Sequence, residues 1–169
     1  MANPDPRASR PDMPDYGLAP ATGGEGLLPW SWARERLERT RNYPLVTVRP
    51  DGAPHLAPVW GVWFEDAFYF STAPSSRKAR NFMANARCVV TTDDAQDAVI
   101  VEGTVGEVRD AALNARIVAA YNQKYSWNYG AGEPFYVLRP RRVFGFIENS
   151  DGPDTGDFAA TATRWTFAG

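Results

Sequence analysis

Apolar residues in this chain follow two rhythms, and the places where one gives way to the other mark its elements. From Pro29, a favoured first-turn residue, Trp30, Ala33 and Leu37 share one side while Arg34, Glu35, Arg36 and Glu38 cover the other. That spacing predicts a short amphipathic helix. The rhythm then shortens. Residues 44–49 (PLVTVR), 55–63 (HLAPVWGVW) and 67–72 (AFYFST) are rich in β-formers and are separated by the turn signals "PDG" and Glu65-Asp66, which predicts a three-stranded meander. In 75–86 (SSRKARNFMANA) the period returns to 3.6, with Ala79, Phe82, Met83 and Ala86 on one helical face. Strands follow at 87–92 and 98–108, with Asp93-Asp94 turning between them. A helix capped by Asp110 carries Leu113, Ile117, Ala120 and Tyr121 on one side. After an aromatic loop (125–130, YSWNYG), 135–138, 141–148 and 162–167 read as further strands.

Mostly hairpin connections and few helices predict a mainly β, α+β domain over 27–169: an antiparallel barrel of six to seven strands with peripheral helices. Residues 1–26 differ in texture, with five prolines, four glycines and no period, and are expected to form a disordered arm.

Composition narrows the function classes. The chain has 169 residues, one domain's worth, and a net charge of −2, so any anion site must be local rather than a product of the overall field. No nucleic-acid partner is expected, because a base-stacking barrel needs a basic stripe that is missing. No apolar run approaches membrane length and no export signal is apparent, so a cytoplasmic protein is expected. The single cysteine, Cys88, lies in an apolar strand and reads as a small buried residue. One His and one Cys leave little for a zinc site.

Ser71 to Asn81, "STAPSSRKARN", carries the clearest chemistry. A strand ends, a Pro turn follows, and a helix starts with Ser75, Ser76, Arg77 and Lys78. Helix N-termini offer unpaired N–H groups and a positive dipole end, and the hydroxyls and cations add donors for a phosphate. An ordinary capped helix with solvated basic side chains fits the same pattern. In "PHLAPVWGVW", Pro58 makes the strand an edge or a bulge, freeing main-chain groups beside Trp60 and Trp63 for a flat heterocycle. His55, the only histidine, reads as a structural hydrogen-bonder more readily than as a catalyst. No nucleophile–base pairing, dinucleotide fingerprint or Walker pattern is present. Tyr125, Trp127 and Tyr129 suit a ligand mouth, an interface or plain packing equally.

Together, "RPDGAPHLAPVWGVWFED", "FYFSTAPSSRKARN", "VIVEGTVGEV" and "ATRWTF" resemble the pyridoxamine 5′-phosphate oxidase-like split β-barrel, specifically its actinobacterial flavin/deazaflavin oxidoreductases. The resemblance runs from Trp30 to Phe167 and omits the arm. It implies a homodimer with cofactor sites at the subunit interface and a small-molecule substrate. It places Ser76, Arg77 and Lys78 on the cofactor phosphate with Asn81 nearby, Pro58, Val59 and Trp60 against the ring system, and Ser71 and Thr72 at the ring or ribityl side. Trp127, Arg164 and Trp165 are the candidates contributed by the partner. The extra basic residues and "R-L-x-P" ending of true pyridoxamine phosphate oxidases have no counterpart here. The expectation is therefore a reductase or dehydrogenase using coenzyme F-420, with FMN as the alternative cofactor. A non-catalytic binder of haem, a bilin or another flat ligand is the alternative function on the same fold. No acid or base is required of the protein if the cofactor supplies the hydride chemistry.

Overall fold

The computed structural model describes residues 5–18, 20, 25–130, 135–148 and 157–168. Among these, the elements in chain order are β1 (Arg7–Ser9), α1 (Trp30–Arg39), β2 (Tyr43–Val48), β3 (Pro54–Val59), β4 (Gly61–Phe64), β5 (Ala67–Ser71), α2 (Arg77–Ala84), β6 (Arg87–Thr91), β7 (Asp97–Glu107), α3 (Ala111–Tyr125), β8 (Phe135–Ile147), α4 (Asp157–Thr161) and β9 (Thr163–Thr166). Every strand pairing is antiparallel. The order β1-β9-β8-β7-β6-β2-β3 forms one path, and β4 joins it through β5, which pairs with β8. This is the split barrel that the sequence predicts.

The split originates in β8. Its first part, Phe135 to Leu138, pairs with β5, and its second, Arg142 to Gly145, pairs with β9. Between them Pro140 lacks an N–H, and the register with β7 slips between Glu102 and Gly103, leaving Arg141 as the extra residue of a bulge. A Cβ on Gly103 would stand 2.1 Å from the Arg139 carbonyl oxygen, so only glycine allows the two strands to cross this closely. The two strands expected at 135–138 and 141–148 are thus one bent strand.

A second division falls at Trp60. The expected strand 55–63 breaks there into β3, which stays with β2, and β4, which leaves to pair with β5. The predicted meander is correspondingly not continuous. A Cβ on Gly61 would lie 2.3 Å from the Phe68 ring and 2.7 Å from the Tyr69 carbonyl, so the chain turns through a gap that admits no side chain.

Two apolar clusters fill the structure. Trp30 and Leu37 of α1 cover a barrel core of Tyr43, Leu45, Phe68, Phe70, Val90, Val99, Val101, Leu138, Val143 and Trp165. On the other face of β4, β5 and β8, α3 packs Ile117, Tyr121 and Tyr125 against Val62, Tyr69, Phe135 and Val137. Being covered on both faces explains why β5 reads as a continuous apolar run instead of alternating. In α2, Ala79 and Phe82 are buried as expected, but Met83 is 69% exposed and Ala86 is exposed as well. The buried stripe of α2 runs through Asn81 instead of Met83.

The N-terminal segment departs most from expectation. Arg7, Ala8 and Ser9, assigned to a disordered arm, pair with Thr166, Trp165 and Arg164 and so cover the outer edge of β9. The Arg10 guanidinium donates to the Ala162 carbonyl at 2.9 Å and to those of Ala160 and Glu25. Low apolar content hid this segment because its contacts are main-chain and charge-assisted. Deleting residues 1–12 is expected to cost about 1–3 kcal/mol of stability, from a few net hydrogen bonds. Hydrogen exchange at the β9 amides checks it: their protection should fall markedly, and unchanged protection would restore the disordered arm.

Candidate functional site

The start of α2 gathers donors that nothing among the described residues consumes. Ser76 caps the helix, its Oγ accepting from the Ala79 N–H at 3.2 Å. Thr72 Oγ1 lies 3.1 Å from the same oxygen. Of the two hydroxyl protons one serves this mutual bond and the other remains to donate outward. The Arg77 and Lys78 backbone N–H groups open the helix with no acceptor among the described residues, and neither side chain has a hydrogen bond or ion pair there. Arg80, by contrast, is occupied with the Ser75 carbonyl at 3.0 Å. Arg77 is exposed and Lys78 half-buried, so both cations stand at the helix end where the dipole is positive. The geometry suits a phosphate.

α2 lies over β2 through Asn81 and Thr47, and the next strand, β3, pairs with β2 alone among the described residues, which leaves its other edge free. Pro44 faces Pro58 across the two strands, and since neither has an N–H this must be a non-hydrogen-bonded pair. Alternation makes Val46–Leu56 another, so the Leu56 N–H and carbonyl and the Pro58 carbonyl point out from the free edge. Pro58 also blocks the addition of another strand. The edge ends at Trp60, whose ring stacks on Tyr125 with centroids 4.6 Å apart and planes 9° from parallel. Its Nε1 donates to Asn42 Oδ1 at 3.1 Å.

Tyr125 holds the β3–β4 break in place. Its hydroxyl accepts from the Gly61 N–H at 2.8 Å and faces the carbonyls of Arg41 at 2.7 Å and Gly61 at 2.9 Å. Around this stack, Trp127 meets Trp60 edge-on and the Arg41 guanidinium lies 5.1 Å from the Tyr125 ring centroid. Lys124 Nζ donates to Tyr43 Oη at 2.6 Å, and that hydroxyl in turn donates to the Leu37 carbonyl. Ser71 Oγ and Tyr129 Oη are hydrogen-bonded across the same mouth.

Of the expected residues, Thr72, Ser76, Arg77 and Lys78 stand at the start of α2, Ser71 just before them on β5, Pro58 on β3, and Trp60 between Tyr125 and Trp127. Val59, Asn81, Arg164 and Trp165 lie elsewhere in the subunit, Arg164 and Trp165 being residues expected from a partner chain. Trp165 is completely buried in the barrel core against Trp30, because β9 turns that side inward. Val59 is 5% exposed, so only its main chain could meet a ligand. Asn81, on the packed side of α2, donates to Thr47 Oγ1 at 2.9 Å beneath the expected phosphate position rather than toward it. Arg164 is held by Ser9 Oγ at 3.1–3.2 Å and lines a groove of about 680 Å³ formed with Arg7 and Phe167. A larger groove, about 730 Å³, crosses the outer sheet face past Val46, Arg87, Glu102 and Arg141 and includes none of the predicted residues. Thr47, Arg41 and Lys124 escaped the sequence reading. One signal was present: Lys78 and Lys124 are the only lysines in the sequence, and both lie beside this mouth.

Burial pushes the Cys88 thiol up to about 12, consistent with an inert packed residue. Lys124 moves the other way. Burial first, then the Arg41 guanidinium, push its amine down to about 8 from 10.5, partly opposed by Glu38 and Asp93. Below pH 8 both folded and unfolded chains hold the proton and the full burial penalty is present. Between about 8 and 10.5 the unfolded chain binds more protons, so this group's contribution to stability rises with pH. Urea unfolding of wild type and Lys124→Met at pH 7 and pH 10 should therefore show wild type gaining on the variant at the higher pH. A difference independent of pH would contradict this placement of the amine.

Comparison with known proteins identifies the family and the fold. No curated protein sequence matches significantly. Among solved structures, an F-420 reductase aligns at 26% identity and a TM-score of 0.54, over 65% of this chain and 94% of that one. The conserved hypothetical protein Rv2991 from Mycobacterium tuberculosis aligns at 20% identity and a TM-score of 0.61, over 69% and 82%. HutZ, the haem storage protein from Vibrio cholerae, shares the fold at 16% identity and a TM-score of 0.55, over 70% and 93%. Residues 32–147 match the family described as pyridoxamine 5′-phosphate oxidase, a span that contains α2 with its unpaired donors and the free edge of β3. The chain belongs to the pyridoxamine 5′-phosphate oxidase family.

Proposed function

We propose that this protein is a homodimeric oxidoreductase that holds reduced coenzyme F-420 and uses it on a small organic substrate. One observation carries the reading: α2, which opens with donors unpaired among the described residues, packs on β2, and the neighbouring β3 has an outer edge of unpaired main-chain groups. A phosphate and a planar, hydrogen-bonding ring joined by a short polar chain match the two halves. The fit is chemical as well as geometric. Two N–H groups, one spare hydroxyl proton and two cations without partners among the described residues suit a phosphate, and the β3 edge offers one donor, the Leu56 N–H, and two acceptors, the Leu56 and Pro58 carbonyls, to a hydrogen-bonding ring edge.

The bound deazaflavin would supply the hydride, and the protein's part is to bind and orient. Arg77, Lys78 and the α2 N–H groups would anchor one end, the Leu56 main chain would fix the ring edge, and Trp60, held by Tyr125 and Asn42, would close one side of the substrate space. FMN is the alternative occupant, since the same donors would hold its phosphate. The likeness to an F-420 reductase supports the deazaflavin. The dimer is supported by Leu56, Trp60, Met83 and Trp127, large apolar residues 38–69% exposed around the mouth, which a second subunit would cover. Buried, unpaired Cys88 suits a reducing cytoplasm.

Titration of the purified protein with coenzyme F-420 and FMN tests the reading. Each of Arg77→Ala and Lys78→Ala should weaken binding roughly ten- to hundredfold, the loss of one charge-assisted contact. Stability without cofactor should change little, since neither cation has a hydrogen-bond or ion-pair partner among the described residues. Coenzyme F-420 should bind more tightly than FMN. Unchanged affinity in the double variant overturns the phosphate assignment. Binding of haem with neither flavin would favour the non-catalytic alternative.

A further inference from the structure

Two cations stand at the Trp60–Tyr125 stack, and a phosphate at the start of α2 would use neither. Arg41 follows α1, and its guanidinium carbon lies 5.1 Å from the Tyr125 ring centroid and 5.8 Å from that of Trp60. Lys124 sits in the last turn of α3, with Nζ 5.7 Å from the same Tyr125 centroid. The two residues also meet directly, Arg41 Nη1 donating to the Lys124 carbonyl at 3.4 Å.

Most of their donors are unspent. An ammonium has three N–H donors and a guanidinium five. Among the described residues the Lys124 amine has one acceptor, Tyr43 Oη, and Arg41 has that one long bond to a carbonyl. Tyr43 does not neutralise the amine. Its own proton goes to the Leu37 carbonyl, and burial pushes its ionisation well above the usual phenol range, so it stays a neutral acceptor. Glu38 and Asp93 are the carboxylates that act on Lys124, but both are exposed and neither forms an ion pair with either cation. Burial and then the like charge of Arg41 outweigh them, and the amine is pushed down to about 8. Two positive charges are thus held together with no counter-ion in contact among the described residues.

The surface they border is aromatic. Trp60 and Trp127 are 38% and 59% exposed and meet edge-on with centroids 6.3 Å apart. Exposed indoles favour a flat ring, and a guanidinium fork favours a carboxylate. A carboxylate conjugated to a ring lies in its plane, so one flat molecule meets both. We propose that the substrate class of this protein is a planar carboxylic acid, its ring against Trp60 and Trp127 and its carboxylate held by Arg41, with Lys124 adding the second positive charge. As a statement about the substrate this rests on the oxidoreductase reading above; as a binding site it does not.

Benzoate is the probe and benzamide its neutral counterpart, each titrated by calorimetry into the protein alone and with coenzyme F-420 present. Benzoate should bind roughly tenfold more tightly than benzamide, the gain of a charge-assisted contact. Arg41→Met should remove that preference, Arg41→Lys should keep part of it, and Trp127→Ala should weaken both probes alike. In wild type, benzoate affinity should fall roughly three- to tenfold between pH 7 and pH 10, because the free amine near 8 loses its proton while benzoate stays ionised. Lys124→Met should bind more weakly at pH 7 and show no such fall.

Equal affinity for the two probes overturns the proposal, and a wild-type affinity that is flat to pH 10 overturns the Lys124 contact. The other source of a carboxylate is an acidic side chain of a second copy. In that case benzoate does not bind, Arg41→Met loosens a dimer in sedimentation equilibrium, and the proposal is wrong. Benzoate preference in a protein that takes up neither coenzyme F-420 nor FMN keeps the site and overturns the oxidoreductase reading. Flavin binding without benzoate preference does the reverse.

Discussion

The hydroxyl of Tyr125 and the gap at Gly61 that it pins decide where β3 ends and β4 departs. By meeting the Gly61 N–H and the carbonyls of Gly61 and Arg41, Tyr125 satisfies main-chain groups where β3 gives way to β4. Without that break, β3 and β4 would continue as one strand, and the outer edge of β3 would have no reason to end beside α2. With it, β4 and β5 cross to β8 and deliver Ser71, Thr72 and the α2 start to a strand edge with free hydrogen-bonding groups. A loss of the Tyr125 hydroxyl leaves a buried N–H unpaired, which typically costs about 1–3 kcal/mol. A core position and a site position are here the same residue.

Elements whose stability comes from burial were readable from the sequence. The apolar faces of α1 and α3, the Asp110 cap and the strand runs of the barrel all follow periods that side-chain burial imposes. Elements stabilised through the main chain were not. β1 is a three-residue strand fixed by the edge of β9 and by Arg10 reaching three carbonyls, none of which leaves a hydrophobic period. Met83 illustrates the converse error: its spacing marks a buried face, but α2 is short and gives that stripe to Asn81.

The site was legible to the same extent and for the same reason. Helix-start chemistry is local, so "SSRKARN" announced Ser76, Arg77 and Lys78 directly. Which residues stand beside them is a matter of tertiary register, so Thr47 and Lys124 were missed and Trp165 was misassigned. Trp165 alternates inward on β9, and only the pairing with β8 and β1 fixes that parity. The local cations also make a chain of net charge −2 compatible with the proposed anion site: the field there is that of two side chains and one helix end, not the whole protein.

The central claim is that a planar cofactor lies along the free edge of β3. The Leu56 amide tests it most directly, because the Pro44–Pro58 pair fixes the register that turns this N–H away from β2. In the free protein it should exchange with solvent quickly, while the neighbouring Ala57 amide, turned toward β2, is protected. On saturation with coenzyme F-420 or FMN the Leu56 amide should become strongly protected with little change at Ala57. A Leu56 amide that still exchanges freely in the saturated complex would contradict the account.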